Sequence, residues 1–459
     1  MVSKTQIYYS SNKNFYMKKL VNIHKLKFVL SVIFILQSVG LFAQEDKSFT
    51  SIDEVIVFAK KNNYTFQNAD FQIQLADLTQ KTAVGNLFNP RVPTSVQVLD
   101  NVKQQVSFLP GQTFGQPEGT FKEVVIGQQY VSTFTIQPQF EIINMANYAQ
   151  IKTAKINQQL VENQNKINEQ NLYEKINAVY FNILSFDAQK EILEENIKIA
   201  SDILRIITNK FDEGIARKQE VNEAEVNLIL LQDKLEQLKL NTSIQYQTLN
   251  LFFENKINAK LSQNVWEYQN TDTILVTQNN LVSENAQLQS QLAQQELKVL
   301  KYQNLPVLSF VSSFNWQNLS NDFSFSQNST WINYNYVGFR LNYDLPTTVQ
   351  KYSSQKTKNI QIEVLKNNEK HSNLESETKN AQLVLEYQKS IQQIINLQKI
   401  YELKKDTYEK NFNQFNENIL PLDKLLISQN DMFLSKLNLV SALATIGFNK
   451  TKIEINNQF

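Results

Sequence analysis

The hydrophobic period along this chain switches from helical to alternating and back, and then runs through the same cycle again. From Val55 to Val84 apolar residues recur at helical spacing. Past Asn89-Pro90 the period becomes two. Val92, Thr94, Val96 and Val98 alternate with Pro93, Ser95, Gln97 and Leu99. Phe108 to Gly119 contains Gly and Pro and reads as a loop. Alternation then resumes, with Tyr130, Phe134, Ile136 and Phe140 on one face and Gln129, Thr133, Thr135, Gln137 and Gln139 on the other. The pattern predicts a β-hairpin over about 92–141 with one apolar and one polar face.

From about Ala146 to Phe211 the helical pattern is unbroken. Leu172, Ile176, Val179, Ile183, Phe186, Lys190, Leu193, Ile197, Ala200, Leu204, Ile207 and Phe211 are spaced by alternating fours and threes, an a/d heptad seam. Such a helix is about 100 Å long. Gly214 fits the left-handed residue that ends a helix. A return helix follows, with Val221, Ala224, Leu228, Leu231, Leu235 and Leu238. The two predict an antiparallel coiled-coil hairpin over about 145–253. Ile199, Ile203 and Ile206 flank the seam and call for a further neighbour. At the front of the chain, Ser51-Ile52-Asp53-Glu54 is a capping box, with Glu54 placed to reach the Ser51 amide.

A polar, irregular connector is expected over 256–280. Then the cycle repeats: a helix through Leu288, Leu292 and Leu297, a stop at Leu305-Pro306, and a hairpin over about 307–344. In its first strand Leu308, Phe310, Phe314 and Trp316 alternate with polar residues. In its second, Val337, Phe339, Leu341 and Tyr343 alternate with Gly338, Arg340, Asn342 and Asp344, and Pro346 closes it. A coiled-coil hairpin over about 347–452 ends the unit. Its tip, Phe415-Asn416-Glu417-Asn418-Ile419, echoes Phe211-Asp212-Glu213-Gly214-Ile215. The chain thus divides into residues 44–255, a connector, and 281–459, two copies of one unit. The second proline and tip lie closer together than the first, most simply through a longer loop in the first hairpin.

Four two-faced strands leave a choice. In a soluble sandwich the apolar faces would pack on each other. In an outer-membrane barrel they would face lipid and the polar faces a water-filled lumen. Very long helices separate the strands, and Arg340 and Asp344 sit within the polar face, which favours the barrel. Eight strands is the bacterial minimum, so one chain is too few, whereas three copies in a closed ring give twelve. Two helical hairpins per copy, in three copies, also suffice to close a helical cylinder. The fold class expected is therefore mainly α with a small β part: a trimeric 12-stranded outer-membrane barrel continued by an α-helical barrel.

Composition changes this picture only at the N-terminus. Lys18, Lys19, Lys25 and Lys27 precede an apolar run from Phe28 to Leu36, and Leu41-Phe42-Ala43 precedes Gln44. That order is expected of a secretory signal peptide over residues 1–43, with Met17 as an alternative start to Met1. Removing it takes six lysines and no acid from the formal charge of +1, leaving −5. With no Cys in the chain, thiol chemistry and the usual zinc sites are excluded. Only His24 and His371 exist, so a Ser-His-Asp triad would hang on a histidine in a coiled coil. No phosphate-cradling glycine loop, basic block or nucleic-acid motif is present. The expectation is no enzyme, cofactor, metal or nucleic acid. Glu220 and Glu223 share a helix face near a tip, where a solvated surface explains them.

At this point the chain resembles the TolC-like outer-membrane efflux family, over nearly all of its length beyond the leader. The resemblance rests on Ser51-Ile52-Asp53-Glu54-Val55-Ile56 with Asn62-Asn63, on the breaks at Pro90 and Pro306, and above all on the first tip. There Phe211-x-x-Gly214 precedes Glu220-Val221-x-x-Ala224-Glu225, where the family has an aromatic, two residues, Gly, and then Asp-Val-x-x-Ala. Asn418 replaces Gly at the second tip. Lys424 and Ile427 stand where relatives often carry carboxylates that form acidic rings at the periplasmic entrance, with Asp423 alongside.

The resemblance implies a homotrimeric exit duct in the outer membrane, its helical part extending into the periplasm. It would conduct substrates passively, in a tripartite efflux or type I secretion system. Partners would be a periplasmic adaptor (membrane fusion protein) and a proton- or ATP-driven inner-membrane pump. The docking residues would be Gly214, Ile215, Glu220, Val221, Asn418, Ile419, Asp423 and Lys424, and Arg340, Asn342 and Asp344 would line the lumen. The competing expectation is a periplasmic coiled-coil adaptor or scaffold, which needs only one helical hairpin and no paired β-hairpins.

Overall fold

The computed structural model describes residues 45–253, 257–269, 277–323, 330–345 and 348–459. The expected leader and Pro346 lie outside them. Two compact units share the chain, and each draws on both copies of the repeat. The described residues of one lie within the chain up to Asn63, Lys175–Thr271 and Ser390–Phe448, and those of the other within Tyr64–Glu174, Asp272–Lys389 and Asn449–Phe459.

The second unit holds the sheet. Its strands are β2 (Thr94–Asp100), β5 (Tyr130–Ile136), β6 (Gln139–Ile143), β8 (Val307–Ser320) and β9 (Thr330–Asn342). All pairings are antiparallel: β2 with β5, β5 and β6 in succession with β8, and β8 with β9. β5 and β6 are one strand interrupted at Pro138, which has no N–H to give the ladder. The Ser312 amide and hydroxyl instead both donate to the Pro138 carbonyl, at 2.9 Å each. The sheet is thus four strands wide, with β2 and β9 at its edges.

Register places the two faces as the alternation predicts. Val96, Phe134 and Trp316 lie in one cross-strand row, and Phe140, Phe310 and Phe339 in another. The rings touch, with centroids 5.5 Å apart for Phe134–Trp316 and 5.2 Å for Phe140–Phe310. Gln97, Thr133 and Gln317 form a row on the opposite face. Val96, Val337, Phe339 and Leu341 remain exposed, without the second sheet that a sandwich would supply. Toward Thr330 the separation lapses, because Asn333 and Asn335 fall in the rows of Trp316 and Phe314.

The stretch expected as a plain loop is partly folded. β3 (Val106–Pro110) and β4 (Phe121–Val125) form an antiparallel ribbon around a short 3-10 turn. Cross-strand pairing satisfies backbone groups that a bare loop would leave to water. The whole connection, 101–129, is longer than the 321–329 connection of the second hairpin.

In the same unit α2 (Tyr64–Gly85) and α5 (Leu281–Tyr302) lead into the two hairpins. The long helices α3 (Met145–Asp212) and α6 (Val349–Asn416) follow them, each 68 residues, and their first parts belong here. Ala293, Leu297 and Ile362 make a small core where α5 meets α6, flanked by the Lys358–Glu296 ion pair at 2.6 Å. A buried amide network ties further elements. Asn456, in α7 (Leu422–Asn457), donates to Asn380 Oδ1 at 2.9 Å and accepts from Gln170 at 3.2 Å. Asn279 donates to the Asn456 carbonyl at 3.0 Å. Buried amides are tolerated only when paired this way.

The first unit contains α1 (Ile52–Asn62), α4 (Lys218–Asn250), the later parts of α3 and α6 and the first part of α7. Ser51 caps α1 as expected, but Glu54 accepts from the Thr50 amide at 2.8 Å, one residue before the predicted donor. The connector is less irregular than its composition suggests: β7 (Ile257–Leu261) pairs in parallel with β1 (Glu45–Phe49). β1 shows no alternation, and β7 alternates over only five residues, too few to be read alone. Phe49, Phe58 and Phe253 cluster beneath them, with centroids 5.1–5.8 Å apart.

Candidate functional site

Two places in the molecule carry the residues that the sequence singled out, one in each unit. The first is the pair of hairpin tips. α3 ends with Gly214 at φ 75° and α6 with Asn418 at φ 61°. This is the left-handed region, free to Gly and open to Asn because its short amide bonds locally. The two turns repeat each other bond for bond. The Gly214 amide donates to the Phe211 carbonyl at 2.9 Å, and the Asn418 amide to Phe415 at 3.1 Å. The Ile215 and Ala216 amides converge on the Lys210 carbonyl, as Ile419 and Leu420 converge on Gln414.

Their side chains are not equivalent. Phe415 is buried, whereas Phe211 is partly exposed. Lys210 makes the difference. Its ammonium donates to the Phe415 carbonyl and to Asn418 Oδ1, both at 2.7 Å, and lies 4.1 Å above the centre of the Phe415 ring. Desolvation holds Lys210 below the ordinary lysine value, and the charges of Glu220 and Glu213 oppose that shift. Ile203, Ile207, Val221, Ala224, Tyr408, Phe415, Leu422 and Leu425 form one core beneath the tips, with Ile199 and Ile206 packed against it. The neighbour that the flanking isoleucines required is therefore the second hairpin of the same chain.

Ile215 and Ile419 are exposed at the turns, and Asp423 and Lys424 are exposed on the first turn of α7. Val221 is different: it is buried, so its side chain holds the tip together instead of presenting a surface. Glu220 accepts from the Arg217 amide at 2.8 Å and so caps α4, which accounts for a carboxylate at that position. Lys210 went unnoticed in the sequence because only its position beside Phe211 marked it.

The second place is a polar concavity of about 300 Å3 at the end of the sheet nearest the start of α3. Arg340 and Asn342 line it. Asp344 lies just past the end of β9 and is not part of it. Gln139, placed on the polar face by the alternation, joins them, as do Arg91 and Glu141, which the alternation did not mark. Arg91 pairs across to Gln139, in line with Val311 and Gly338. Glu141, Ser309 and Arg340 form the adjoining row. Opposed residues share a face and so do residues two apart, so both arginines rise from the polar face. Glu141 Oε2 accepts from the amide groups of Asn144 at 2.7 Å and Asn147 at 3.1 Å.

The outer membrane efflux protein family model matches residues 55–253. No curated protein matches the chain by sequence. Among solved structures, the outer membrane protein VceC of Vibrio cholerae is 11% identical with a TM-score of 0.68, over 88% of this chain and 96% of that one. The Campylobacter jejuni CmeC outer membrane channel is 14% identical with a TM-score of 0.63, over 91% and 89%. The Neisseria gonorrhoeae MtrE outer membrane channel, solved in its open state, is 10% identical with a TM-score of 0.66, over 88% of each chain. At such identities the likeness is one of fold.

Proposed function

We propose that this chain is a member of the outer membrane efflux protein family, whose model matches residues 55–253, and is one third of a homotrimeric exit duct. The observation that carries the reading is the sheet: four strands wide, apolar on one face, polar on the other, with β2 and β9 at open edges. Long unpaired edges are an aggregation hazard, and a barrel removes them. Pairing β9 of each copy with β2 of the next closes a twelve-stranded ring, within the range of bacterial barrels. Its apolar rows then face lipid, and Arg340, Asn342 and Asp344 face or border the lumen. The helical hairpins extend the duct into the periplasm as an α-helical barrel.

In this reading the tips receive a periplasmic adaptor coupled to an inner-membrane pump, driven by protons or by ATP, and the duct itself is passive. Ile215 and Ile419 offer apolar contact, and Asp423 and Lys424 offer charge beside it. With Lys424 and Ile427 at the second tip, an acidic ring cannot form at those positions, so closure rests on other contacts. The expected leader would direct export.

The parent chain has no cysteine, which makes the ring directly testable. Cysteine pairs scanned along β2 and β9 should give disulfide-linked dimers and trimers in outer-membrane fractions. Failure at every pair, with the protein recovered as a soluble periplasmic monomer, would favour the adaptor or scaffold reading instead.

A further inference from the structure

The geometry points to an oxyanion-binding site in the concavity at the end of the sheet, shaped for a small organic dicarboxylate. Arg91 and Arg340 stand on the same face, in adjoining cross-strand rows, and line one cavity of about 300 Å3. Three strand spacings, roughly 14 Å, separate their backbones. Two long side chains can therefore approach one molecule from opposite sides. Neither guanidinium forms a salt bridge among the described residues. Arginine is the side chain best matched to a carboxylate, because its planar fork offers two parallel donors.

The acid within the cavity does not cancel them. Glu141 is held by two neutral amides, Asn144 and Asn147. Asn144 Oδ1 in turn accepts from the Ala146 amide at 3.0 Å, in the first turn of α3. The positive end of that helix therefore opens beside the cavity. Two guanidiniums and one carboxylate leave a local excess of positive charge, while the chain without its leader is acidic overall. Gln139, Asn342 and Ser309 supply neutral hydrogen-bonding groups to the remaining wall. This inference rests on the duct reading only in that it places the site where passing solutes would meet it.

The probe is succinate. Calorimetry on the detergent-purified trimer should show binding that chloride at equal ionic strength does not reproduce. Arg91→Gln and Arg340→Gln should each weaken it roughly ten-fold, the scale of a lost charged hydrogen bond, and the pair together should abolish it. Glu141→Gln should tighten it by removing the competing charge. Planar bilayers provide a second arm, in which succinate should reduce the parent's conductance and the double variant should be insensitive. No succinate binding to the parent protein, or equal binding by parent and double variant, overturns the site. Binding that persists in a protein forming no conducting channel supports the site and overturns the duct. A conducting channel that binds no succinate does the reverse.

Discussion

The Lys210 ammonium sits 2.7 Å from Asn418 Oδ1, joining the last turn of one long helix to the left-handed residue that ends the other. A second bond goes to the Phe415 carbonyl, also at 2.7 Å, beside the one that this carbonyl accepts from the Asn418 amide. Replacing Lys210 by Met keeps the aliphatic stem and removes three donors. The second tip should loosen by about 1–2 kcal/mol, read as faster hydrogen exchange at the amides of Asn418, Ile419 and Leu420. Exchange unchanged from the parent would mean that the turn holds itself.

Asn418 does two jobs that substitution can separate. Asn418→Gly keeps the positive φ and loses one of the two acceptors for Lys210, so it should speed hydrogen exchange less than Lys210→Met, which loses both bonds. Asn418→Val keeps neither and adds strain of about 1–2 kcal/mol. The contrast is measurable by thermal unfolding, and equal effects of the two changes would remove backbone strain from the account.

At the first tip the strain is purely one of backbone. A Cβ at Gly214 meets no atom within 4 Å, yet its φ is 75°. Gly214→Val should distort the turn while the core beneath it still assembles. If the tip docks a partner, export should fall while trimers persist in the membrane. Full export by this variant would sink the docking role.

Gly447 shows the opposite case. Gly→Ala within a helix ordinarily stabilises by about 1 kcal/mol. Here a Cβ would lie 2.2 Å from Phe181 Cε1 and 3.0 Å from Tyr268 Cδ1. Overpacking of that kind costs about 1–3 kcal/mol, so Gly447→Ala should lower the Tm. A rise would show that the two rings yield without cost.

Asp187 makes stability depend on pH. Burial raises its pKa above the ordinary carboxylate value, opposed by a hydrogen bond from Tyr246 at 3.3 Å and by Lys190. Tyr246 is itself pushed up to about 12, mainly by burial. Between the ordinary and the raised value the folded chain holds more protons on Asp187 than the unfolded chain does. Stability from this group therefore falls as pH rises through that window and stays reduced above it. Asp187→Asn should match the parent in acid and exceed it in Tm near neutrality. Parallel Tm curves for the two proteins would rule out that titration.

Much of this architecture could be read along the chain. The heptad seam from Leu172 to Phe211 appears as α3, and the proline breaks fall at the ends of α2 and α5. Both facts depend on neighbours within a few residues, where periodicity and dihedral preference act directly. The alternation in β8 and β9 likewise gave the correct face for Arg340. Parallel pairing of β1 with β7 was not legible, because strands so short acquire a partner only through distant chain.

The candidate sites divide along the same line. Gly214 and Asn418 were marked by the sequence itself, since a left-handed helix end has a local chemical signature. Lys210, Arg91 and the amide partners of Glu141 carried no such mark. Their roles come from which surfaces the fold lays side by side: one hairpin against another at the tips, and β6 and β8 between Arg91 and Arg340 in the sheet. Sequence alone determined two copies of a strand-and-helix unit with two-faced strands and capped tips, because those are short-range preferences. Tertiary structure alone decided that a lysine of one copy closes the tip of the other and that two arginines meet over one cavity. Contacts between residues hundreds of positions apart leave no period in the chain that forms them.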